Sequence, residues 1–131
     1  MRPTMDDIWM QTAVLLSTRS TCERLQVGCI ITDSRKRTVL GNGYNGGAAG
    51  QNNTCSGDPC GHLHAEVNAL VACGSSDRQK TMYVTVLPCE QCAKLIVNSG
   101  FLEVNYLHEH EKRGSIEILR SAGIVLKKFN Q

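Results

Sequence analysis

No apolar run in this 131-residue chain approaches the roughly 18 residues that a membrane span requires, so no transmembrane helix and no membrane partner are expected. No secretory leader is expected either: the opening MRPTMDDIWM has acids where a signal peptide carries its positive region, and no apolar core follows. The expectation is a soluble, cytoplasmic protein. Blocks of one charge sign are missing too. Fourteen basic residues stand against twelve acidic ones for a net charge of +2, and the densest cluster is Arg35-Lys36-Arg37 in a turn-like stretch. Nucleic-acid binders show a denser basic stripe, because affinity grows with the number of phosphates neutralised. No nucleic-acid partner is therefore expected, and a small anionic ligand fits better. With no internal repeat and no linker, residues 1–131 read as a single domain. A chain of that length buries about two-thirds of its unfolded surface.

Seven cysteines are present, an odd number, and several sit beside histidines. That pattern argues for metal and core roles in a reducing compartment over a disulfide framework.

Periodicity gives the elements. Met5, Ile8, Trp9, Ala13 and Leu16 share one face of a helix from Thr4 to about Arg19, opened by a Thr4/Asp7 capping box. Val27 to Thr32 and Thr38 to Tyr44 read as a hairpin, followed by a long Gly-, Asn- and Cys-rich loop from Asn45 to His62, a length that is usually functional. His64 to Cys73 is a helix, Thr81 to Leu87 a buried strand and Cys89 to Asn98 a helix. Leu102 to Leu107, Ser115 to Ala122 and Ile124 to Phe129 then read as strand, helix and strand. This alternation predicts an α/β fold with a five-stranded mixed sheet sandwiched by helices, in three α/β/α layers.

Two motifs fall where ligands gather in such sheets, beyond the carboxyl ends of the parallel strands. His64 opens one helix, and Cys89 and Cys92 lie in the first turn of the next, after Pro88. Cysteines three apart share a helix face, and the positive helix end favours their thiolates. Two thiolates and an imidazole select Zn2+ and leave a tetrahedral ion one open position, the pattern of a catalytic site. Taken singly, C-x-x-C also suits a redox pair and a lone histidine a surface role; together they point to metal. Glu66 sits among Ala65, Val67, Ala69, Leu70 and Val71, where a carboxylate is costly unless bonded or used. Residues two apart do not share a helix face, so His64 must reach the ion from a frayed first turn while Glu66 approaches from beneath.

HAE followed by PCEQC resembles the H-x-E…P-C-x-x-C signature of the zinc-dependent cytidine-deaminase-like superfamily. Within it, the order QVGCIITD, GNGYNG, HAEVNAL, MYVTVLPCEQCAKLIVNSG is similar to the deoxycytidylate (dCMP) deaminases, across residues 5 to 126. The resemblance implies hydrolysis of dCMP to dUMP and ammonia, supplying dUMP for thymidylate synthesis. Glu66 would be the general acid/base, and the backbone of Ala65 would hold the base carbonyl. Asn45 would hold the sugar, although it reads equally as a turn residue beside Gly46 and Gly47. For the 5′-phosphate the basic residues Lys112 and Arg113, or Arg19 and Arg24, are at hand. The resemblance further implies a hexamer activated by dCTP and inhibited by dTTP. Arg19, Asn42, Gly43, Tyr44 and Gly46 would contribute to the effector site, with Mg2+ accompanying a triphosphate. The tRNA adenosine deaminases share both motifs and are the rival; against them stand the modest charge and GYNG in place of a tryptophan-bearing loop. Free-nucleoside cytidine deaminases carry cysteine where this chain has His64.

The remaining cysteines divide. Cys29 and Cys73 read as small core residues. Cys22, Cys55, Cys60 and His62 lie in loops, and they are either adaptable loop residues with a redox-sensitive pair or a closed, structural Cys3His zinc site.

Overall fold

Residues 1–22, 24–47, 63–74, 79–109 and 114–130 are described by the computed structural model. In chain order they form α1 (Met5–Ser17), β1 (Gly28–Asp33), β2 (Val39–Tyr44), α2 (Ala65–Cys73), β3 (Lys80–Val86), α3 (Glu90–Val97), β4 (Phe101–His108), α4 (Ser115–Ser121) and β5 (Val125–Lys128). Every expected element is present, its ends displaced by no more than a residue or two. The strands make one sheet in the order β2-β1-β3-β4-β5. β1 is antiparallel to β2 and β3, while β3, β4 and β5 run parallel.

Alternation along the central strands builds two cores. Cys29 and Ile31 of β1, Met82, Val84 and Val86 of β3 and Val104 of β4 pack with Ala65 and Ala69 of α2, Ala93 and Ile96 of α3 and Leu119 of α4. Ile30, Tyr83 and Leu107 face the other way and pack on Met10 and Ala13 of α1. β3 is buried along its whole length, which explains its continuous apolar run. Cys29 lies in the core and Cys73 packs against it, as expected of both.

α1 begins with the capping box read from the sequence: Asp7 N–H donates to Thr4 Oγ1 at 3.1 Å and Thr4 N–H to Asp7 Oδ2 at 3.0 Å. Its buried side matches the expected one at Trp9, Ala13 and Leu16 but not at Met5 and Ile8. Met10 and Ala13 are covered, whereas Met5 and Ile8 stay 43% and 37% exposed. The helix is turned this way because its inner edge meets polar partners: Tyr83 O–H donates to Asp6, and Trp9 Nε1–H donates to the Lys36 carbonyl at 2.8 Å.

Lys36 lies in the β1–β2 turn with φ of 63°, in the left-handed region that a non-glycine residue adopts at a cost. Its ammonium is the hub of a part-buried network, 3.1 Å from Asp6 and 3.0 Å from Glu103. Glu103 also pairs with Lys127 at 3.3 Å and accepts from Asn105 Nδ2 at 2.9 Å. Helix α1, the hairpin and three strands are thereby tied together. Among the described residues no helix is long and apolar enough to cross a membrane.

Candidate metal centre and active site

The three expected ligands converge because two of them are helix caps. His64 is the N-cap of α2, with extended backbone at φ −72° and ψ 152°, and Cys89 is the N-cap of α3, at φ −72° and ψ 170°. A cap stands outside the helical spiral, so its side chain points along the axis end instead of joining a helix face. The geometric difficulty of H-x-E is resolved in this way: His64 precedes the helix, and Glu66 is its second residue. His64 is exposed, while Glu66 keeps only 5% of its surface.

His64 Nδ1 lies 3.3 Å from Cys92 Sγ and 3.6 Å from Cys89 Sγ. All three ligand atoms fall within 4.8 Å of one another. A tetrahedral ion with Zn–S of about 2.3 Å and Zn–N of about 2.0–2.1 Å separates nitrogen from sulfur by about 3.6 Å and the sulfurs by about 3.8 Å. The two nitrogen–sulfur separations are within about 0.3 Å of those values, so the three residues suit Zn2+.

Its electrostatics suit a cation. The Cys89 thiol is pulled down to about 3 by hydrogen bonds from the Cys92 thiol and His64 and by the Cys92 N–H, 3.4 Å away. Cys92 is pushed up, because its proton is held toward Cys89, its sulfur is buried and the Glu66 carboxylate is near. The Glu66 carboxylate is close enough to raise both Cys92 and buried Cys29, although burial weighs more on Cys29 and the Cys89 hydrogen bond and burial weigh more on Cys92.

A cleft of about 400 Å³ opens beside α1, bounded by Val14, Ser17 and Leu107; His64, Glu66, Cys89 and Cys92 are not among its lining residues. Leu25 and Gln26 form one wall, and Thr85, Val86, His108 and Glu109, at the ends of β3 and β4, form the other. None of these six was singled out in the sequence; the usable signal was their place after parallel strands. Asn45 borders this wall, but its amide is engaged by backbone. Nδ2 donates to the Leu25 carbonyl at 2.7 Å, and Oδ1 accepts from Val27 N–H at 2.8 Å. Asn45 therefore ties the end of β2 to the segment before β1.

Ala65 is the buried first residue of α2, where backbone N–H groups have no partner within the helix. Of the expected effector residues, Arg19 and Asn42 are exposed and Tyr44 is half-buried. Gly46 exchanges backbone bonds with Leu63 at 3.1 and 2.8 Å, and Gly43 lies against α2. Cys22 is half-buried, its N–H donating to Ser20 Oγ at 3.1 Å. Cys55, Cys60, His62, Lys112 and Arg113 lie outside the described residues.

A caged His-Cys-Cys triad with a buried glutamate at paired helix starts, on a mixed five-stranded sheet, defines a metal-dependent hydrolytic centre. Residues 3–108 match the family model described as the cytidine and deoxycytidylate deaminase zinc-binding region, and the chain belongs to that family. It is 36% identical to the deoxycytidylate deaminase of Mycobacterium phage D29, over 82% of this chain and 98% of that one. Identity to the deoxycytidylate deaminase of Saccharomyces cerevisiae is 33% over 99% of this chain, which spans 46% of the yeast protein. The crystal structure of dCMP deaminase from the cyanophage S-TIM5 in complex with dCMP and dUMP superposes with a TM-score of 0.86. That chain is 32% identical, with 98% of this chain and 99% of the phage chain covered.

Proposed function

We propose that this protein hydrolyses dCMP to dUMP and ammonia, supplying dUMP for thymidylate synthesis. The observation that supports the reading is the gathering of His64, Cys89 and Cys92 within 4.8 Å of one another, with Glu66 buried in the first turn of α2 and close enough to act on Cys92. Zn2+ held by those three residues supplies a Lewis acid that brings the pKa of water toward ~7. Glu66 takes a proton from the attacking water and passes it to N3 of the pyrimidine. It then carries the second proton to the amine as the C4–N4 bond breaks, so one water is consumed and one ammonia leaves. The N–H of Ala65 is suited to the base carbonyl. Asn45 retains a second N–H and a second oxygen lone pair for a sugar hydroxyl, since an amide offers two of each. Lys112 and Arg113 are assigned to the 5′-phosphate.

Glu66→Gln tests the assignment: the variant should keep one equivalent of Zn2+ and lose at least ~100-fold in turnover. Ammonia release from dCMP, cytidine and an anticodon stem-loop separates the rivals, and preference for the stem-loop would move the protein to the tRNA adenosine deaminases.

The regulatory reading is a hexamer activated by dCTP and inhibited by dTTP, with Mg2+ accompanying the triphosphate at Arg19, Asn42, Gly43, Tyr44 and Gly46. Sigmoidal dCMP saturation made hyperbolic by dCTP supports it; indifference to both triphosphates removes it. A second, structural Zn2+ is assigned to Cys22, Cys55, Cys60 and His62. Metal analysis should then give about two ions per chain, falling to one in a Cys55→Ser/Cys60→Ser variant.

A further inference from the structure

Helix α2 carries both His64 and Glu66, so its depth on the sheet fixes where they meet α3. It lies on β2 with almost nothing between. A Cβ added at Gly43 would stand 2.6 Å from the Ala69 nitrogen, 2.7 Å from the Ala65 carbonyl oxygen and 2.9 Å from Asn68 Cβ. Two of these are backbone atoms of the helix, which cannot swing aside as a flexible side chain would. Next to this contact Asn68 Nδ2 donates to the Tyr44 carbonyl at 2.9 Å, pinning the helix to the end of the same strand. Farther along, a Cβ at Gly41 would run into the Ala69 carbonyl oxygen and stand 2.9 Å from Cys73 N, toward the helix end away from the site.

We propose that Gly43 and Asn68 are positioning residues that set the depth of the ligand-bearing end of α2, and so place His64 against Cys89 and Cys92 and Glu66 near Cys92. The absent side chain lets the helix come down; the amide holds it there. Relaxing the clash at Gly43 to an ordinary contact of 3.4 Å requires Ala69 N to retreat by about 0.8 Å. Misplacement of about 1 Å can cost on the order of 100-fold in rate. Because the atoms met at Gly43 include the Ala65 carbonyl oxygen, which Gly41 does not touch, this movement is transmitted to the first turn of α2. At Gly41 the same addition pushes on Ala69 and Cys73, and most of the movement falls on the far end.

The test compares Gly43→Ala, Gly41→Ala and Asn68→Asp with the unaltered protein by metal affinity and by dCMP turnover. Affinity is measured by competition for Zn2+ with a calibrated chelator and needs no substrate. Only the turnover arm rests on the deaminase reading, so an inactive protein would overturn that reading and leave the affinity arm decisive here. For Gly43→Ala we expect Zn2+ affinity about 10-fold weaker and kcat about 10- to 100-fold lower, with KM within about twofold. Gly41→Ala should lose comparable thermal stability yet keep affinity and kcat close to those of the unaltered protein. Asn68→Asp removes the donor without adding volume, and should weaken Zn2+ binding and lower kcat even if Gly43→Ala fails to fold. Unchanged affinity and kcat in Asn68→Asp, or equal losses in Gly41→Ala and Gly43→Ala, would overturn the proposal, since a merely structural contact predicts those results.

Discussion

Lys36 offers the sharpest test of what holds the fold together. Its side chain is 25% exposed, with Glu103 at 14% and Asp6 at 31%, so the two ion pairs fall between classes. Fully exposed pairs contribute about 0–1 kcal/mol. Removing one partner of a buried pair costs about 3–5 kcal/mol. In Lys36→Met neither carboxylate is stranded, because Tyr83 still donates to Asp6, and Lys127 and Asn105 still hold Glu103. A loss of about 1.5–3 kcal/mol follows. Lys36→Gly loses the same pairs but relieves the left-handed backbone, and should be about 1 kcal/mol less destabilised than Lys36→Met. The assay is urea unfolding, read as midpoint shifts at unchanged slope.

The pH dependence has a definite sign. Although burial pushes both carboxyls up, Tyr83 and Lys36 draw Asp6 below its ordinary value, and Asn105 and Lys36 do the same for Glu103. Their stabilisation is therefore complete above the unfolded carboxylate range near pH ~4 and drains as pH falls through the lowered folded values. Lys36 is raised: burial opposes the charge, but hydrogen bonds to Glu103 and Asp6 prevail. Its share is complete below the unfolded lysine value of about 10.4 and is lost as pH rises past the raised folded one. Lys36→Met should flatten the acid limb. A midpoint unchanged at neutral pH, or Lys36→Gly no more stable than Lys36→Met, would refute the reasoning.

Other expectations are shorter. Ser115 is fully buried, and its hydroxyl finds no partner among the described residues, so Ser115→Ala should raise stability by about 1 kcal/mol in the same urea assay. Gly28→Ala would set a Cβ 2.8 Å from the Ser17 nitrogen, forcing α1 off β1, and should cost at least about 1–3 kcal/mol in thermal or urea unfolding. Cys89→Ser should abolish stoichiometric Zn2+ in metal analysis while leaving the sheet's circular dichroism intact, because the sulfur serves the cradle and caps α3 only through a long 3.4 Å contact.

Much of the fold was legible because local signals agreed with tertiary demands. Gly74, Gly100 and Gly123 end their elements with positive φ of 71°, 81° and 82°, as expected of glycines placed after helical runs. The Thr4/Asp7 box marked α1 for the same reason. The buried face of α1 was read correctly at Trp9, Ala13 and Leu16 and misread at Met5 and Ile8, because periodicity counts apolar residues, whereas Asp6 turns inward for a polar partner 77 residues away. Nothing within a helical window reports such a partner. Val71, expected to pack, is 77% exposed, since α2 rests on β2 through its alanines and needs no wider apolar stripe.

The site shows where such reading stops. The convergence of His64, Cys89 and Cys92 was legible because chemistry restricts the choice: few residue sets suit a soft dication, and their spacing had only to bring two helix starts together. Position was not, because it depends on caps. A histidine and a glutamate two apart look incompatible on a helical wheel and become compatible once the histidine lies outside the helix at ψ 152°. Substrate contacts are harder still, since an asparagine at a strand end serves a ligand or the backbone with the same two atoms. Here Asn45 spends one donor and one acceptor on Leu25 and Val27, shaping the cleft wall through the main chain. The sheet separates these duties. Asp6, Lys36 and Glu103 gather below α1, near the entry of β3 and β4, whereas the ligands occupy the exit of β3 under α2 and α3. β3 serves both, with Tyr83 bonded to Asp6 on one face and Val86 leading through buried Pro88 to Cys89. A strand so anchored can hold its exit still while carrying two thiolates, which is what a preformed three-ligand cradle requires.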